Sequence, residues 1–568
     1  MGKRKNRFFL IKVQAVKILF YPALTLFDRL GLLRTLYRPI EKLAGLLGIK
    51  KSLNSLFQYH DFAGYFKGDF MENAGKKRRI LFPSFLGVNS NFIMLDLLFA
   101  RYYAGKGYSP ALVVCNSTID ICQKENVIRS RRFNPLFCHE CWKGYRDISE
   151  ITGIEVLYLS DYMNASTEAR IGIAASHISG LSSVDEARQF IFEGLPLGEL
   201  SYKSVLRFFL KGSLQGTEKE LRIFRKFLVS TMTIGVLFKE LLDRETETER
   251  AVLPNGTLAL EAIIRHHCER MSIPYMTFEN YMGENTIIYK KNDEVMKFNW
   301  DSEMAAAGES GILRDEVKAR ADQFFSELRI GRHKCAVLNR QEDSTDLSPY
   351  GRFVCAFTNL NFDTAVIGKH TIFKNMEEWL EALVDYWTSN EMELNLVIRV
   401  HPAEVKMRSG TREFMGDKLR KMIRSDKIYL IDSTDRVNTY DLIDNMEYGL
   451  IYSSTVGMEI AYVNKACVVA GKPYFINKPF VITPASREDY FSTVGQLNRK
   501  NLRFEPDREA LYKMVNYIFY NRLKRLSGIK IFTLNAGNNT DFMNSEDMLR
   551  ANFDFFEEFE KEFSGINS

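Results

Sequence analysis

Two stretches of the sequence, LNLVIRVHPAE (394–404) and YGLIYSSTVGMEIAY (448–462), decide the predicted fold. In each, a short apolar run ends abruptly in small, polar or ionisable residues. Such runs are typical of buried strands, and the pattern after the second run indicates a turn and a helix. Because ligands bind at the carboxyl ends of parallel strands, we expect the two stretches to form neighbouring walls of one pocket.

The same alternation of strands and helices recurs along the rest of the chain. Residues 76–115 read as strand, polar loop, helix, glycine break and strand, and residues 251–280 repeat this order with Asn255 and Gly256 at the turn. A mostly helical, charge-rich insert lies between them, over about 180–250. This order predicts an α/β, GT-B-like fold: two Rossmann-like lobes whose parallel sheets face a central cleft.

Length and local composition set the predicted domain boundaries. A chain of 568 residues is too long for one core. Residues 301–350 are acidic and polar and show no sustained hydrophobic periodicity, so we place the connection between the lobes there. The predicted units are a basic amphipathic segment over 1–75, an N-terminal lobe over 76–330, a C-terminal lobe over 331–500 and C-terminal helices over 501–568.

The basic character of the chain is concentrated at its start. Residues 1–51 contain twelve Lys and Arg but only two acids, a net +10, so the remaining residues carry 6 − 10 = −4. Lys12 and Lys17 interrupt the apolar run, which makes a membrane-spanning helix or a secretory signal improbable. Apolar bulk mixed with Lys and Arg instead favours peripheral binding to an anionic membrane surface, at the cytoplasmic face of the plasma membrane. The alternative is a basic helix packed on the protein's own surface.

Composition and cysteine spacing bear on two other possible ligands, nucleic acid and zinc. No zinc-finger spacing or basic-aromatic platform is present, so the sequence does not predict a nucleic-acid-binding protein. Four cysteines, Cys115, Cys122, Cys138 and Cys141, have a spacing that could close a structural zinc site. The pattern lacks a second tight CxxC pair, so ordinary thiols are favoured over zinc and no cofactor is expected.

The first candidate site residues are those that end the two quoted strands. His401 directly follows a strand, and Pro402 stiffens the turn that directs its imidazole. Ser453, Ser454 and Thr455 lead straight into a helix, where hydroxyls and free N–H groups favour an anion. The alternatives are a structural histidine and simple capping of the helix by Ser or Thr.

Two charged residues extend this predicted anion site. Glu459 is not explained by a capping box, because it lies four positions after Thr455, so we expect it to accept hydrogen bonds from sugar hydroxyls. Arg399 adds positive charge, unless it pairs with a local carboxylate. No DxD-type metal pair is present at a strand end, so metal-independent stabilisation of a departing phosphate is predicted.

The motifs RxHPxE (399–404), DRVNTYDLID (435–444), SSTVGME (453–459) and AGKPYF (470–475) together resemble a known family. They are similar to those of the bacterial capsule polysaccharide biosynthesis glycosyltransferases, relatives of GT-B sialyltransferases and Kdo transferases that also carry HP and SS/ST steps. The similarity covers 350–500 well and 76–290 more loosely. It implies that His401 and the three hydroxyl residues contact the phosphate of a nucleotide-sugar donor and that Glu459 contacts the donor.

The same resemblance implies an acidic catalytic base in the N-terminal lobe. The nearest counterpart of the family's acidic motif is FENYMGE (278–284), which lacks paired acids. Glu279 is the predicted base and Glu284 the competing candidate, with structural ion pairing as the alternative for each. Asn89 and Ser90, in the loop after the first strand, are predicted to contact acceptor or donor, unless that loop is a plain turn.

These observations predict a glycosyltransferase that moves a sugar from a nucleotide-activated donor to a capsule-type or LPS-type surface polysaccharide or a lipid-linked acceptor. Two alternatives on the same fold are a nucleotide-sugar epimerase and a polyol-phosphate transferase. A third alternative, from a different class, is a non-catalytic scaffold for polysaccharide assembly.

Overall fold

The structure is a computed structural model. It describes residues 62–71, 78–85, 90–126, 137–280, 285–308, 311, 313–330, 344–361, 363, 366–407, 414–529 and 540–565.

The strands form two sheets, one of seven strands and one of five. In chain order they are β1 (Arg79–Pro83), β2 (Ser109–Val114), β3 (Glu155–Tyr158), β4 (Thr248–Pro254), β5 (Tyr275–Asn280), β6 (Thr286–Lys291), β7 (Phe353–Phe357), β8 (Asn395–Arg399), β9 (Ile428–Ile431), β10 (Gly449–Ile451), β11 (Cys467–Val469) and β12 (Lys524–Arg525).

Helices separate most of these strands. They are α1 (Ser90–Gly105), α2 (Phe137–Thr152), α3 (Ala165–Ser179), α4 (Val184–Gln189), α5 (Leu197–Phe209), α6 (Glu218–Arg244), α7 (Ala259–Arg270), α8 (Trp300–Ala306), α9 (Asp315–Arg329), α10 (Met376–Ser389), α11 (Met415–Met422), α12 (Thr439–Asn445), α13 (Val456–Tyr462), α14 (Arg487–Asn498), α15 (Arg508–Asn516), α16 (Ser545–Ala551) and α17 (Phe553–Ser564). A π-helical turn, Tyr517–Arg522, continues α15.

The first sheet has the strand order β12-β6-β5-β4-β1-β2-β3. Strands β1 to β5 run parallel, whereas β6 is antiparallel to β5 and β12 is antiparallel to β6. The connection between β5 and β6 is too short for the crossover that a parallel pair requires, which explains this antiparallel edge. The predicted parallel sheet is confirmed for strands β1 to β5 only.

The second sheet is parallel throughout, in the order β11-β10-β7-β8-β9. From β7 the chain continues to β8 and β9 on one side of the sheet and then crosses to β10 and β11 on the other side, so the strand order reverses between β7 and β10. In an open α/β sheet a crevice forms outside the carboxyl ends of the strands at such a reversal. The predicted second α/β unit is therefore confirmed, and both quoted stretches end at this edge.

Both faces of each sheet are covered, as alternate side chains show. In β1, Ile80 and Phe82 pack on one face and Leu81 on the other. In β7, Cys355 packs on one face while Ala356 faces the opposite one. Burial on both faces explains why these strands appear in the sequence as continuous apolar runs.

Part of the segment 301–350, in which the sequence shows no sustained hydrophobic periodicity, forms a helix. The connection between the lobes that is placed there stays a prediction. Helix α9 buries an apolar stripe of Val317, Ala321, Phe324, Phe325 and Leu328 against the core beside the second sheet. These positions recur at helical spacing. The charged residues between them lowered the average hydrophobicity of the segment and hid the pattern.

The two ends of the described chain pack against the first sheet. Phe62, Phe66 and Phe70 are buried in its core. Helix α17 returns from the second sheet to the same core, where the Phe559 ring lies 4.6 Å from Phe99 and 4.9 Å from Tyr289 between centroids. The C-terminal helix therefore fastens the end of the chain onto its N-terminal half.

The predicted membrane-associating segment falls mostly on residues 1–61, which lie outside the described residues, so it stays a prediction. No helix in the described part of the chain combines the length and the apolar composition needed to cross a bilayer.

We predict that Phe559→Ala destabilises the protein by about 3–5 kcal/mol, because it opens a cavity in a fully buried aromatic cluster. Urea unfolding of the two proteins measures the difference. Phe553→Ala is the matched control: Phe553 lies on the same helix with 57% of its surface exposed, and its loss is expected to cost less than about 0.5 kcal/mol. Equal effects of the two substitutions would contradict the packing of α17.

Candidate functional site

A cavity of about 160 Å³ opens at the carboxyl edge of the second sheet. The ends of β7, β8 and β10 meet there; the sequence predicted β8 and β10 to meet, but not β7 between them. Its polar lining consists of Thr358, Arg399, His401, Thr439, Ser454, Thr455 and Glu459.

Two residues that follow β7 connect the two predicted walls. The hydroxyl of buried Thr358 accepts a hydrogen bond from the main-chain N–H of His401 at 3.0 Å. The side-chain carbonyl of Asn359 accepts one from the N–H of Ser453 at 3.2 Å. Sequence reasoning did not single out this pair, although they follow the strand FVCAF in the same way as His401 follows β8.

The hydrogen bonding of His401 fixes its tautomer. Its Nδ1 accepts a bond from the main-chain N–H of Ala403 at 3.1 Å, so the ring proton lies on Nε2. Burial lowers the pKa of His401 to about 4, an effect that Asp363 opposes and Arg399 reinforces. At neutral pH the imidazole is therefore uncharged and offers Nε2–H as a donor.

Arg399, the last residue of β8, is a buried cation without a carboxylate partner among the described residues. One end of its guanidinium donates to the main-chain carbonyl of Asp432 at 2.9 Å and the other, more weakly, to that of Val437 at 3.4 Å. Its Nε–H has no acceptor in the described structure. The alternative of a local ion pair is therefore not what the structure shows, and a positive charge remains at the cavity wall.

The hydroxyl-rich stretch contributes two residues to the lining rather than three. Ser454 and Thr455 line the cavity, whereas Ser453 is buried behind it and holds Asn359. Helix α13 has only seven residues, and Thr455 at its start makes no side-chain capping bond. The N–H groups of Ser454 and Thr455 donate to no described main-chain group. Simple capping thus does not account for Thr455.

Glu459 also lines the cavity, as predicted. Burial raises its pKa to about 7, against the opposing effects of the Tyr440 hydroxyl and the Arg329 charge. One carboxyl oxygen is buried without a hydrogen-bond partner in the described structure. The group therefore has unused hydrogen-bonding capacity toward the cavity.

The apolar wall of the cavity was missed by sequence reasoning. Phe324, Phe325 and Leu328 come from α9, and Phe519 comes from the π-helical turn after α15. The Phe324 and Phe519 rings lie 4.1 Å apart between centroids. The cavity thus offers an aromatic face opposite a polar edge, which suits a ligand with a flat ring and an anionic group.

Glu279 occupies the end of β5, on the first sheet. Its carboxyl accepts hydrogen bonds from the side chain of Asn255 at 2.7 Å and from the N–H of Asn280 at 3.1 Å. Burial raises its pKa, and the charge of Asp363 raises it further. Because Asp363 also acts on His401, the carboxyl group and the imidazole both lie near the segment that follows β7.

Two further carboxyl groups, Asp96 and Glu261, are fully buried, and sequence reasoning did not single them out. Burial raises the pKa of both Asp96 and Glu261 to about 7. The Gln123 amide donates to both oxygens of Glu261, and the Ser84 hydroxyl donates to Asp96 at 2.8 Å. The Glu279 charge raises the pKa of Glu261, and the Glu261 charge raises the pKa of Asp96, so each of these carboxyl groups lies near the next.

Asn89 and Glu284 lie outside the described residues, and Ser90 is described only as the first residue of α1.

The four clustered cysteines line one small cavity of about 30 Å³ beside Trp142. Burial raises the pKa of Cys122 to about 12. Within the described ranges, no three His, Cys, Asp or Glu side chains are arranged to hold a metal ion. The zinc alternative stays a prediction.

No protein-family model and no curated protein matches the sequence. Similar solved structures include two of KpsC from Thermosulfurimonas dismutans. The beta Kdo 2,7 transferase is 11% identical, over 56% of this chain and 88% of that one, with a TM-score of 0.31. The beta Kdo 2,4 transferase is 11% identical, over 47% and 79%, with a TM-score of 0.30.

A UDP-GlcNAc 2-epimerase from Methanocaldococcus jannaschii, in complex with UDP-GlcNAc and UDP, is 13% identical over 78% of this chain and 99% of that one, with a TM-score of 0.25. Kdo transferases, which the sequence motifs resemble, are therefore among the similar solved structures. TM-scores this low do not show what the chain does, so its function has to be inferred from its own residues.

We predict that the imidazole of His401 titrates near pH 4 in the folded protein, well below the ordinary value of about 6.5. Between these pH values the unfolded chain binds more protons, so the stabilisation gained from neutral His401 is lost as the pH falls from about 6.5 to 4. NMR titration of the histidine ring signals measures the pKa, and His401→Asn identifies the signal. A midpoint near 6.5 would contradict the buried, uncharged imidazole.

Proposed function

We propose that this protein is a glycosyltransferase that moves a sugar from a nucleotide-activated donor to a hydroxyl group of a glycan or lipid-linked acceptor. The observation that carries the proposal is the buried guanidinium of Arg399. Its Nε–H has no acceptor, and no carboxylate pairs with it, in the described structure. Arg399 lines the cavity together with neutral His401 and with the hydroxyl residues Ser454 and Thr455.

The cavity provides what a departing nucleotide phosphate needs. Charge builds up on the phosphate oxygens as the sugar–phosphate bond breaks, and donors already in position lower the barrier. Arg399 supplies positive charge, while the Nε2–H of His401 and the hydroxyls of Ser454 and Thr455 supply hydrogen bonds. The aromatic wall that includes Phe324 and Phe519 supports binding of the nucleobase, and Glu459 supports binding of ribose or sugar hydroxyls.

Glu279 is the proposed general base on the opposite sheet. Its raised pKa makes it a better proton acceptor than an exposed carboxylate. In the proposed reaction Glu279 takes the proton of the acceptor hydroxyl, whose oxygen bonds to the anomeric carbon. The bond from that carbon to the phosphate oxygen breaks, and the electron pair leaves with the nucleotide.

A nucleotide-sugar epimerase is the second candidate, since a second carboxyl group, Glu261, lies close enough to Glu279 for the Glu279 charge to raise the pKa of Glu261. An epimerase needs acid and base groups that both reach the sugar. Glu261 is fully buried and its two oxygens accept from Gln123, so the structure favours a single reacting carboxyl group at Glu279.

Nucleotide binding tests the cavity directly. We predict that one of CMP, CDP, UDP or GDP raises the melting temperature of the protein, because a ligand that binds only the folded state stabilises it in proportion to its affinity. His401→Ala should reduce this shift and slow transfer by about 100-fold to 1,000-fold. His177→Ala, an exposed histidine on α3, is the matched control and should change neither.

Glu279→Gln separates the two halves of the site. It should keep the nucleotide-dependent melting shift and lose transfer, because the base is removed while the phosphate site remains. The absence of a shift with every nucleotide would reject the proposal and favour a scaffold. Conversion of the donor sugar without any acceptor would favour the epimerase.

A further inference from the structure

A second cavity, of about 290 Å³, lies where the two halves of the chain meet. One side is formed by α5 and by the segments after β4 and β6, and the other by residues 367–369, in the segment after β7. Four cations line it: Lys203, Arg207, Lys297 and Lys369. Such a concentration of like charge is unfavourable unless anions are close by.

Two of these cations have no partner within the described residues. The guanidinium of Arg207 is exposed and makes no hydrogen bond or ion pair there. The ammonium of Lys369 likewise has no acceptor in the described structure. Burial lowers the pKa of Lys369, and the nearby charge of Lys203 lowers it further. Both groups are therefore available to an anionic ligand.

The two acids in the cavity wall are already engaged elsewhere. Glu294 accepts from Lys203 at 3.1 Å and from Thr257 at 3.2 Å, and it lies 3.5 Å from Arg265. Glu199 accepts from Arg188 at 2.9 Å. Neither acid forms a hydrogen bond or an ion pair with Arg207 or Lys369, so in the described structure both cations keep their hydrogen-bonding groups free for a ligand.

The cavity is connected to Glu279 by a short chain of hydrogen bonds. The N–H of Thr257, in the cavity wall, donates to the side-chain carbonyl of Asn255 at 2.8 Å, and the Asn255 amide donates to Glu279 at 2.7 Å. The positive charge of Arg207 also lowers the pKa of Glu279, which places Arg207 near that carboxyl group. A ligand in the cavity therefore lies beside the proposed base.

We propose that Arg207 and Lys369 bind an anionic group, carboxylate or phosphate, on the acceptor and so place the adjoining hydroxyl at Glu279. This inference rests on the proposed glycosyltransferase function, and it defines the acceptor as an acidic glycan or a sugar phosphate rather than a neutral glycan. Arg207 and Lys369 come from opposite sides of the cavity, so binding of the anion also holds the two sides together.

Three small sugars test this site by calorimetry: methyl glucuronide, glucose 6-phosphate and neutral methyl glucoside. We expect at least one charged sugar to bind about 10-fold or more tightly than methyl glucoside, because hydrogen bonds to charged groups are the strong ones. The sugar that binds better identifies carboxylate or phosphate as the preferred anion. The variant R207Q/K369Q should lose this preference, whereas Lys500→Gln, an exposed lysine that lines neither cavity, should keep it.

The melting shift caused by the nucleotide should be the same in R207Q/K369Q as in the unmodified protein, which shows that the variant is folded and that its donor site is intact. Equal binding of charged and neutral sugars would overturn this inference, and so would an unchanged preference for charged sugars in R207Q/K369Q. If a nucleotide still raises the melting temperature in that case, the proposed function stands. Loss of every nucleotide shift in the unmodified protein would instead reject the proposed function.

Discussion

The proposed function depends on one buried charge, the guanidinium of Arg399. It lies at the end of β8, with main-chain carbonyls as its hydrogen-bond partners and with Nε–H unfilled in the described structure. Burying an unpaired cation is costly, and a bound anion would offset that cost. A lone structural arginine would be expected to have a carboxylate partner. The unfilled donor at a cavity wall is instead what a phosphate-binding site requires before its ligand arrives.

The parallel sheets bring the other groups to that charge. The reversal of strand order between β7 and β10 opens the crevice, and Thr358 and Asn359 hold the ends of β8 and β10 together across it. On the first sheet, Glu279 lies at the end of β5, near the segment that follows β7. Asp363 in that segment influences both Glu279 and His401. The fold thus places the proposed phosphate site on the second sheet and the proposed base, Glu279, on the first, with the segment around Asp363 near both.

Much of this arrangement could be predicted from the sequence, because apolar runs that end in polar residues identify strand ends in a parallel sheet. His401, Ser454, Thr455 and Glu459 were found in this way. The apolar stripe of α9 was missed because charged residues interrupt it. The place of Phe519 in the first cavity and of Arg207 and Lys369 in the second was not predictable. These cavities bring together residues that are distant in the sequence, and they depend on how the two halves pack.

A crystal structure of the protein with the nucleotide that stabilises it most tests the central claim directly. The account predicts a phosphate group within hydrogen-bond distance of the Arg399 guanidinium and of His401 Nε2, with the nucleobase against the aromatic wall of the same cavity. A nucleotide bound elsewhere, with Arg399 still paired only to main-chain carbonyls, would contradict it.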